Sequence, residues 1–249
     1  MTAPLTLATY NVHGCVGADG RHDPGRVAAV LAELDADVVA LQELAWQPDA
    51  ALNLLHDLAR RLGCHSIAGP TLLRRAGHYG NALLTRWPAD AVTRIDLSLA
   101  GREPRGALDV RLHAPATDLR VVATHLGLSP RERRLQTKAQ VAALGPPLDT
   151  AAAFDVTAGP GAGPHPRTPV TVLLGDLNEW FLWGRPLRRL HRHFGATPAP
   201  ATFPARWPVL ALDRIWVEPR ARLLQLRRHR TALARQASDH LPLVAQIQG

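Results

Sequence analysis

Residues Val170 to Trp180, VTVLLGDLNEW, constrain the fold most sharply. Val170-Thr171-Val172-Leu173-Leu174 is a β-branched and aliphatic run, short and sharply bounded, which predicts a buried strand. Gly175 lets the chain turn, and Asp176, Asn178 and Glu179 arrive together at the strand's exit. A carboxylate and an amide two residues apart at such an exit can face one cleft and hold a water or an oxyanion there. Alone, an Asp/Asn turn after a strand is an ordinary turn. The same unit recurs, however: Leu5 to Val12 ends in Asn11, Asp37 to Glu43 in a glutamate and Leu119 to His125 in a histidine. Ala211 to Val217 carries Asp213, and Asp239-His240 precede the last run, Leu241 to Ile247.

Between these runs the punctuation is strong. Asp23-Pro24 is an N-cap followed by proline at the first helical position, and Val27, Val30, Leu31 and Leu34 form one apolar stripe. A second helix is expected from about Pro48 to Leu62, with Leu52, Leu55, Ala59 and Leu62 inward and Gly63 closing it. Cys64 to Ala68, Asn81 to Arg86, Ala91 to Leu97, Gly106 to His113 and Leu119 to His125 read as strands. Having no helix between them, they are expected to pair antiparallel. Ser129-Pro130-Arg131-Glu132 is a capping box opening a helix to about Leu144, with Leu135, Ala139 and Ala142 expected on its inner face. A loop of Ala, Gly, Thr and Pro at about 148–169 is expected to be flexible, and Arg185 to Phe194 is a short basic helix. Arg222 to His229 is expected to pair with Ala211 to Val217. These elements predict one domain over residues 1–249, a four-layer α/β sandwich of two stacked, mixed but mainly antiparallel sheets with helices on the outer faces. The polar strand ends should converge at one rim, with the loops Gly14 to Asp23 and Ala199 to Pro208 shaping access to it.

Composition narrows the function classes. No apolar run in the 249 residues approaches the roughly 18 of a membrane span, and two cysteines, Cys15 and Cys64, make no disulfide framework. The N-terminus runs directly into a strand without a basic n-region, so the expectation is a cytoplasmic, monomeric protein. Against 21 acidic residues stand 29 basic ones, of which only Lys138 is a lysine, giving a net charge of +8. The arginines cluster at Arg60-Arg61, Arg74-Arg75, Arg131 to Arg134, Arg188 to Arg192 and Arg227 to Arg230. Such a surface suits an anionic partner: nucleic acid, a phosphorylated small molecule, or the headgroups of an anionic membrane met peripherally.

The segments TYNVHG, LQE, YGNALLTR, THLGL, GDLNEW, LDRIWV and SDHLPL, in this order from Thr9 to Leu243, resemble the endonuclease/exonuclease/phosphatase superfamily of metal-dependent phosphoesterases. The residues fit such chemistry in their own right. Phosphate-ester hydrolysis needs neutralised charge, an aligned water and help for the leaving oxygen. Oxygen ligands without thiolates favour a hard cation, Mg²⁺ or Mn²⁺. Glu43 is the best metal ligand, with Asn11 and Asp239 near the ion or its waters. Asp176 would orient or deprotonate the attacking water, and Asn178 would hold it or a phosphate oxygen.

The resemblance further implies that His240 contacts the scissile phosphate, oriented by Asp213, and that His125 donates to a phosphate oxygen or protonates the leaving group. It also points to Tyr79, Asn81 and Arg105 as lining the phosphate pocket. An acidic residue near Asn81 supports the first histidine in deoxyribonuclease-like members; HYGNALL has none, so the expectation is that His125 is oriented differently or acts only as a donor. Leu44-Ala45-Trp46 follows LQE where repair-type nucleases carry a lysine. The chain is therefore most similar to a bacterial branch of unassigned substrate, some of whose relatives resemble sphingomyelinases. The implied activity is that of a phosphodiesterase acting on nucleic acid or a phospholipid headgroup. A non-catalytic basic module that binds nucleic acid or membrane on the same scaffold is the alternative.

Overall fold

The computed structural model describes residues 3–47, 53–74, 77–115, 117–145 and 169–249. The order is β1 (Leu5–Asn11), α1 (Pro24–Leu34), β2 (Val38–Trp46), α2 (Leu54–Leu62), β3 (His65–Arg74), β4 (Gly77–Thr85), β5 (Ala89–Asp96) and β6 (Gly106–His113). Then come β7 (Asp118–His125), α3 (Pro130–Leu144), β8 (Val170–Asp176), α4 (Arg185–Phe194), β9 (Asp213–Glu218), β10 (Leu223–Arg228), the single turn α5 (Ala234–Ala237) and β11 (Leu243–Ile247). One sheet has six strands in the order β10-β11-β1-β2-β4-β3, the other five in the order β5-β6-β7-β8-β9. Among these pairs only β1–β2 and β7–β8 run parallel.

The core follows from the period of two along a strand. Leu5 and Leu7 of β1, Val170, Val172 and Leu174 of β8, and Ile215 and Val217 of β9 interdigitate in the cluster that fills the space between the sheets. The alternate residues face outward: Ala8 and Tyr10 pack with Val27, Val30 and Leu31 of α1 and Leu55 and Leu58 of α2. On the opposite side Leu173 and Trp216 pack with Leu187, Leu190 and Phe194 of α4. Four layers result, helices outside two face-to-face sheets. The predicted stripe of α1 is buried at all four positions, each worth roughly 1.5–3 kcal/mol by transfer. Asp23 caps its Arg26 amide as expected, and the α3 capping box is formed in both directions.

Three expectations need correction. The second helix starts at Leu54 under an Asn53 cap and buries Leu55, Leu58 and Ala59; Leu62 is half-buried, and residues 48–52, Leu52 included, lie outside the described residues. So does the loop at about 148–169, but for Pro169. The inner face of α3 is polar: Arg133, Gln136, Thr137 and Gln140 are buried while Leu135, Ala139 and Ala142 are exposed. Hydrogen bonding selects that face. Gln136 accepts from the Gly127 amide at 2.8 Å and donates to the Leu97 carbonyl at 3.3 Å, and Thr137 donates to the Arg133 carbonyl at 2.8 Å. Finally, β10 pairs with β11 in the other sheet, not with β9. Pro219 and the 3-10 turn Arg220–Arg222 carry the chain across, and Leu223 drops into the inter-sheet core.

Candidate active site

The parity that buries Leu7, Ala123, Leu174 and Ile215 between the sheets carries on to the strand ends. Asn11, His125, Asp176 and Asp213 therefore all project into the mouth of the inter-sheet space. Register tightens the row: His125 pairs with Asp176 across β7–β8, and Asp176 with Asp213 across β8–β9. Gly175 is what lets β7 and β8 come this close. Its φ is +148°, and a Cβ there would meet the Thr124 carbonyl oxygen at 1.9 Å. Glu43 reaches the same mouth by another device. The β2–β4 register shifts between Leu41 and Leu44, and Glu43 takes a φ of +58° inside the strand. Bulges of this kind re-aim side chains next to functional sites.

The side chains close into one network. The Asn11 amide donates to Glu43 Oε1 at 2.9 Å and to Asp176 Oδ2 at 3.0 Å, joining the two sheets. The Tyr79 hydroxyl donates to Glu43 Oε2 at 2.9 Å, so Tyr79 acts on the carboxylate at this rim. Burial would raise the Glu43 carboxyl, but His125, Asn11, Tyr79 and His13 together hold it below the usual glutamate range. Asp176 accepts from the Asn178 amide at 2.8 Å, and its Oδ2 lies 3.7 Å from Nε2 of both His125 and His240. Glu179, by contrast, turns away from the mouth: it is buried against Arg133 at 3.2 Å. Asn81 is buried and donates to the Gly106 carbonyl at 2.9 Å, and both Asn81 and Arg105 line a neighbouring cavity of ≈ 310 Å³.

The two imidazoles are driven apart. His240 Nδ1 lies 2.8 Å from Asp213 Oδ2, which also accepts from the Thr202 hydroxyl at 2.5 Å. Burial works against a charge on His240, but Asp213, Asp176 and Asp239 raise it to about 10. His125 is pushed down to about 4, first by burial and then by the Arg105 guanidinium, against the pull of Asp176 and Glu43. Arg105 Nη1 stands 3.2 Å from His125 Nδ1 and can only donate to it. Asn178 Nδ2 donates to the Leu126 carbonyl at 3.0 Å and lies 3.0 Å from Nε2, so donors face both ring nitrogens and a neutral ring can accept from only one of them. At neutral pH the site thus holds one imidazolium, His240, and one neutral imidazole, His125.

Sequence reasoning missed several supports. Ser238 donates to the Asn11 carbonyl at 2.8 Å, lies 3.3 Å from Asp239 Oδ1 and accepts from the His240 amide at 3.2 Å, tying the SDH segment to β1. Phe203 packs on the His240 ring at 4.9 Å, and His13 stands 3.7 Å from Asp239. Ser238 could have been found from its place beside Asp239; Thr202 and Phe203 sit in a loop with no local signal.

Among the described residues, one cluster of acids and imidazole is close enough to hold a divalent ion. Asp176, Asp213 and His240 offer one ligand atom each within 4.8 Å of one another. Asp213 and Asp176 keep the His240 ring protonated, so it must lose a proton before it can ligate an ion there. Glu43, Asn11 and Asp239 each offer oxygen, which suits a hard cation; Glu43 is held ionised, Asn11 Oδ1 already accepts from the His13 amide at 3.0 Å, and Asp239 is partly exposed.

Comparison with known proteins bears on the fold and the family. The chain is 29% identical over 269 residues to the uncharacterized protein YbhP of Escherichia coli (strain K12), covering 97% of this chain and 95% of that protein. An endonuclease/exonuclease/phosphatase from Beutenbergia cavernae DSM 12333 superposes with a TM-score of 0.70 at 22% identity, over 98% of this chain and 71% of that one. The D. rerio TDP2 complexed with single strand DNA product superposes with a TM-score of 0.67 at 16% identity, over 100% of both chains. At these identities the structural likeness is one of fold. The model of the Endonuclease/Exonuclease/phosphatase family matches residues 8–240, nearly the whole chain, and the protein belongs to that family.

Proposed function

We propose that the protein is a divalent-metal-dependent phosphodiesterase that directs water in line onto the phosphorus of a nucleic-acid or phospholipid-headgroup ester. The observation that carries this is the position of Asp176 Oδ2, 3.7 Å from both histidine Nε2 atoms and hydrogen-bonded at 3.0 Å to the amide that also holds Glu43. A carboxylate so placed can orient a water and take its proton while two N–H donors face the same phosphoryl group. Glu43, Asn11 and Asp239 would hold Mg²⁺ or Mn²⁺. When bound, the ion supplies Lewis-acid polarisation and charge neutralisation.

The chain's own residues do the rest. His240, kept cationic by Asp213, binds a non-bridging phosphoryl oxygen and stabilises the charge that grows there. His125, neutral at pH 7 because burial and Arg105 hold it near 4, donates a hydrogen bond from Nε2 rather than a proton. Asn178 positions the water beside Asp176. The nucleic-acid option draws on the DNA product held by TDP2, the headgroup option on the basic surface.

Turnover of bis-p-nitrophenyl phosphate tests the reading. The native protein should hydrolyse it with Mg²⁺ or Mn²⁺ and stop in EDTA, and Asp176→Ala should lose about 10²–10⁴-fold, the usual share of a general base. No turnover by the native protein with either metal, and no difference in Asp176→Ala, overturns it in favour of a binding module; turnover unaffected by EDTA overturns the metal dependence.

A further inference from the structure

The two strand ends that deliver His125 and Asp176 continue into loops with bare apolar surface. Leu128 follows His125 by three residues; Trp180, Phe181, Leu182 and Trp183 follow Asn178 after the single residue Glu179. All five side chains are more than half exposed. Arg133 holds the two loops together, donating to the Leu128 carbonyl at 2.5 Å and to Glu179 at 3.2 Å. A third loop, the one that lays Phe203 on His240, exposes Trp207 and Val209 to a similar degree. Contiguous apolar surface of this kind on a soluble domain marks an interaction site.

Beside it lies concentrated positive charge. Arg185, Arg188, Arg189 and Arg192 recur at i, i+3, i+4 and i+7 and occupy the face of α4 opposite its buried Leu187, Leu190 and Phe194. With Arg134 and Thr137 of α3 they line a cavity of ≈ 300 Å³, and Arg189 Nη1 is buried without a hydrogen-bond partner. An apolar loop protruding next to a basic helix face is the arrangement that seats a protein in a bilayer interface. Nucleic acid fits it less well. Leu128, Leu182 and Val209 have no ring to stack on a base, and the Phe181 and Trp183 rings, 5.8 Å apart at 42°, lean on each other instead of offering parallel platforms.

We infer that this rim docks the protein on an anionic lipid bilayer, with the Trp180–Trp183 loop in the interface, the α3/α4 arginines on lipid phosphates, and the catalytic mouth presented to headgroup esters. The substrate part rests on the phosphodiesterase reading above; the docking part does not. Vesicle sedimentation and tryptophan emission in EDTA read the docking alone. The native protein should bind phosphatidylcholine–phosphatidylglycerol vesicles with a blue shift, bind phosphatidylcholine alone weakly, and release as salt rises. Arg185→Gln with Arg188→Gln should weaken binding about 30-fold, at about 1 kcal/mol for each arginine lost. Leu182→Ser with Trp183→Ser should weaken it about tenfold or more and reduce the shift. Thermal melts show whether either variant is folded.

Equal binding to neutral and anionic vesicles, native-like binding by both folded variants, or single-stranded DNA bound through the same residues in preference to vesicles overturns the inference. Soluble-ester turnover by the native protein separates its failure from failure of the function. Turnover without docking sinks the inference alone, and docking without turnover sinks the enzyme reading alone.

Discussion

Replacing Asp213 by asparagine should pull the titration of His240 down the pH scale while leaving the ring in place. The ring's raised value, about 10, is reached against burial, with Asp213 as the largest favourable contribution and Asp176 and Asp239 behind it. The substitution keeps an oxygen 2.8 Å from Nδ1 but removes the charge from the bond. A charge-assisted hydrogen bond is worth roughly 1.5–3 kcal/mol against about 1 kcal/mol for a neutral one, and each pH unit is about 1.4 kcal/mol. His240 should therefore fall by about 0.5–1.5 units, to around 9, because Asp176 still faces Nε2. The sign of the linkage follows. A raised imidazole contributes stability that is complete below its unfolded value of about 6.5 and vanishes as pH climbs through its folded value. The variant should thus lose stability earlier on the alkaline side. Histidine NMR of the metal-free protein from neutral to strongly alkaline pH reads the shift directly, and urea unfolding over the same range reads the linkage. His240 titrating in the ordinary imidazole range in the native protein, or titrating unchanged in Asp213→Asn, would refute the reasoning.

Two further substitutions probe the framework of the site. Arg105→Gln removes a positive charge 3.2 Å from His125 Nδ1, so His125 should rise from about 4 and the acid limb of turnover should move to higher pH with it. The depressed His125 favours the folded state above its unfolded value of about 6.5 and loses that advantage as pH falls toward its folded one, so the variant's stability should vary less with pH across that window; an unmoved acid limb would count against the contact. Gly175→Ala drives a Cβ into the Thr124 carbonyl at a φ of +148°, and unfolding should show a loss of about 3 kcal/mol or more, with a smaller loss meaning that the β7–β8 approach is looser than described.

What could be read from the sequence is what local chemistry decides. The caps at Asp23 and Ser129, the prolines at Pro24 and Pro130, and the short aliphatic runs each specify an element within a few residues, and the ends of α3, α4 and β6 fall where they were expected. Polar residues at strand ends were legible for the same reason. Long-range pairing was not: nothing in LLQLRR states that it will lie against β11 and not β9, because either partner satisfies its backbone. The inner face of α3 was misread because alanine and leucine weigh more in a hydrophobic pattern than glutamine and threonine, yet Gln136 finds its partners in the Gly127 amide and the Leu97 carbonyl. At the site, the absence of an acid near Asn81 was visible, but its replacement by a guanidinium on His125 was not. Arg105 is one arginine among many in the sequence, and only the fold lays it 3.2 Å from that ring.

The central claim is that distant acids and imidazoles gather around one hard cation at the mouth between the sheets. Crystals soaked in Mn²⁺ and measured at its absorption edge test it most directly. The account predicts an anomalous peak at ligand distance, about 2.0–2.3 Å, from the Glu43 carboxylate, with Asn11 and Asp239 around it, and its loss in Glu43→Gln. A peak seated instead among Asp176, Asp213 and His240, or no peak in the mouth at all, would contradict it.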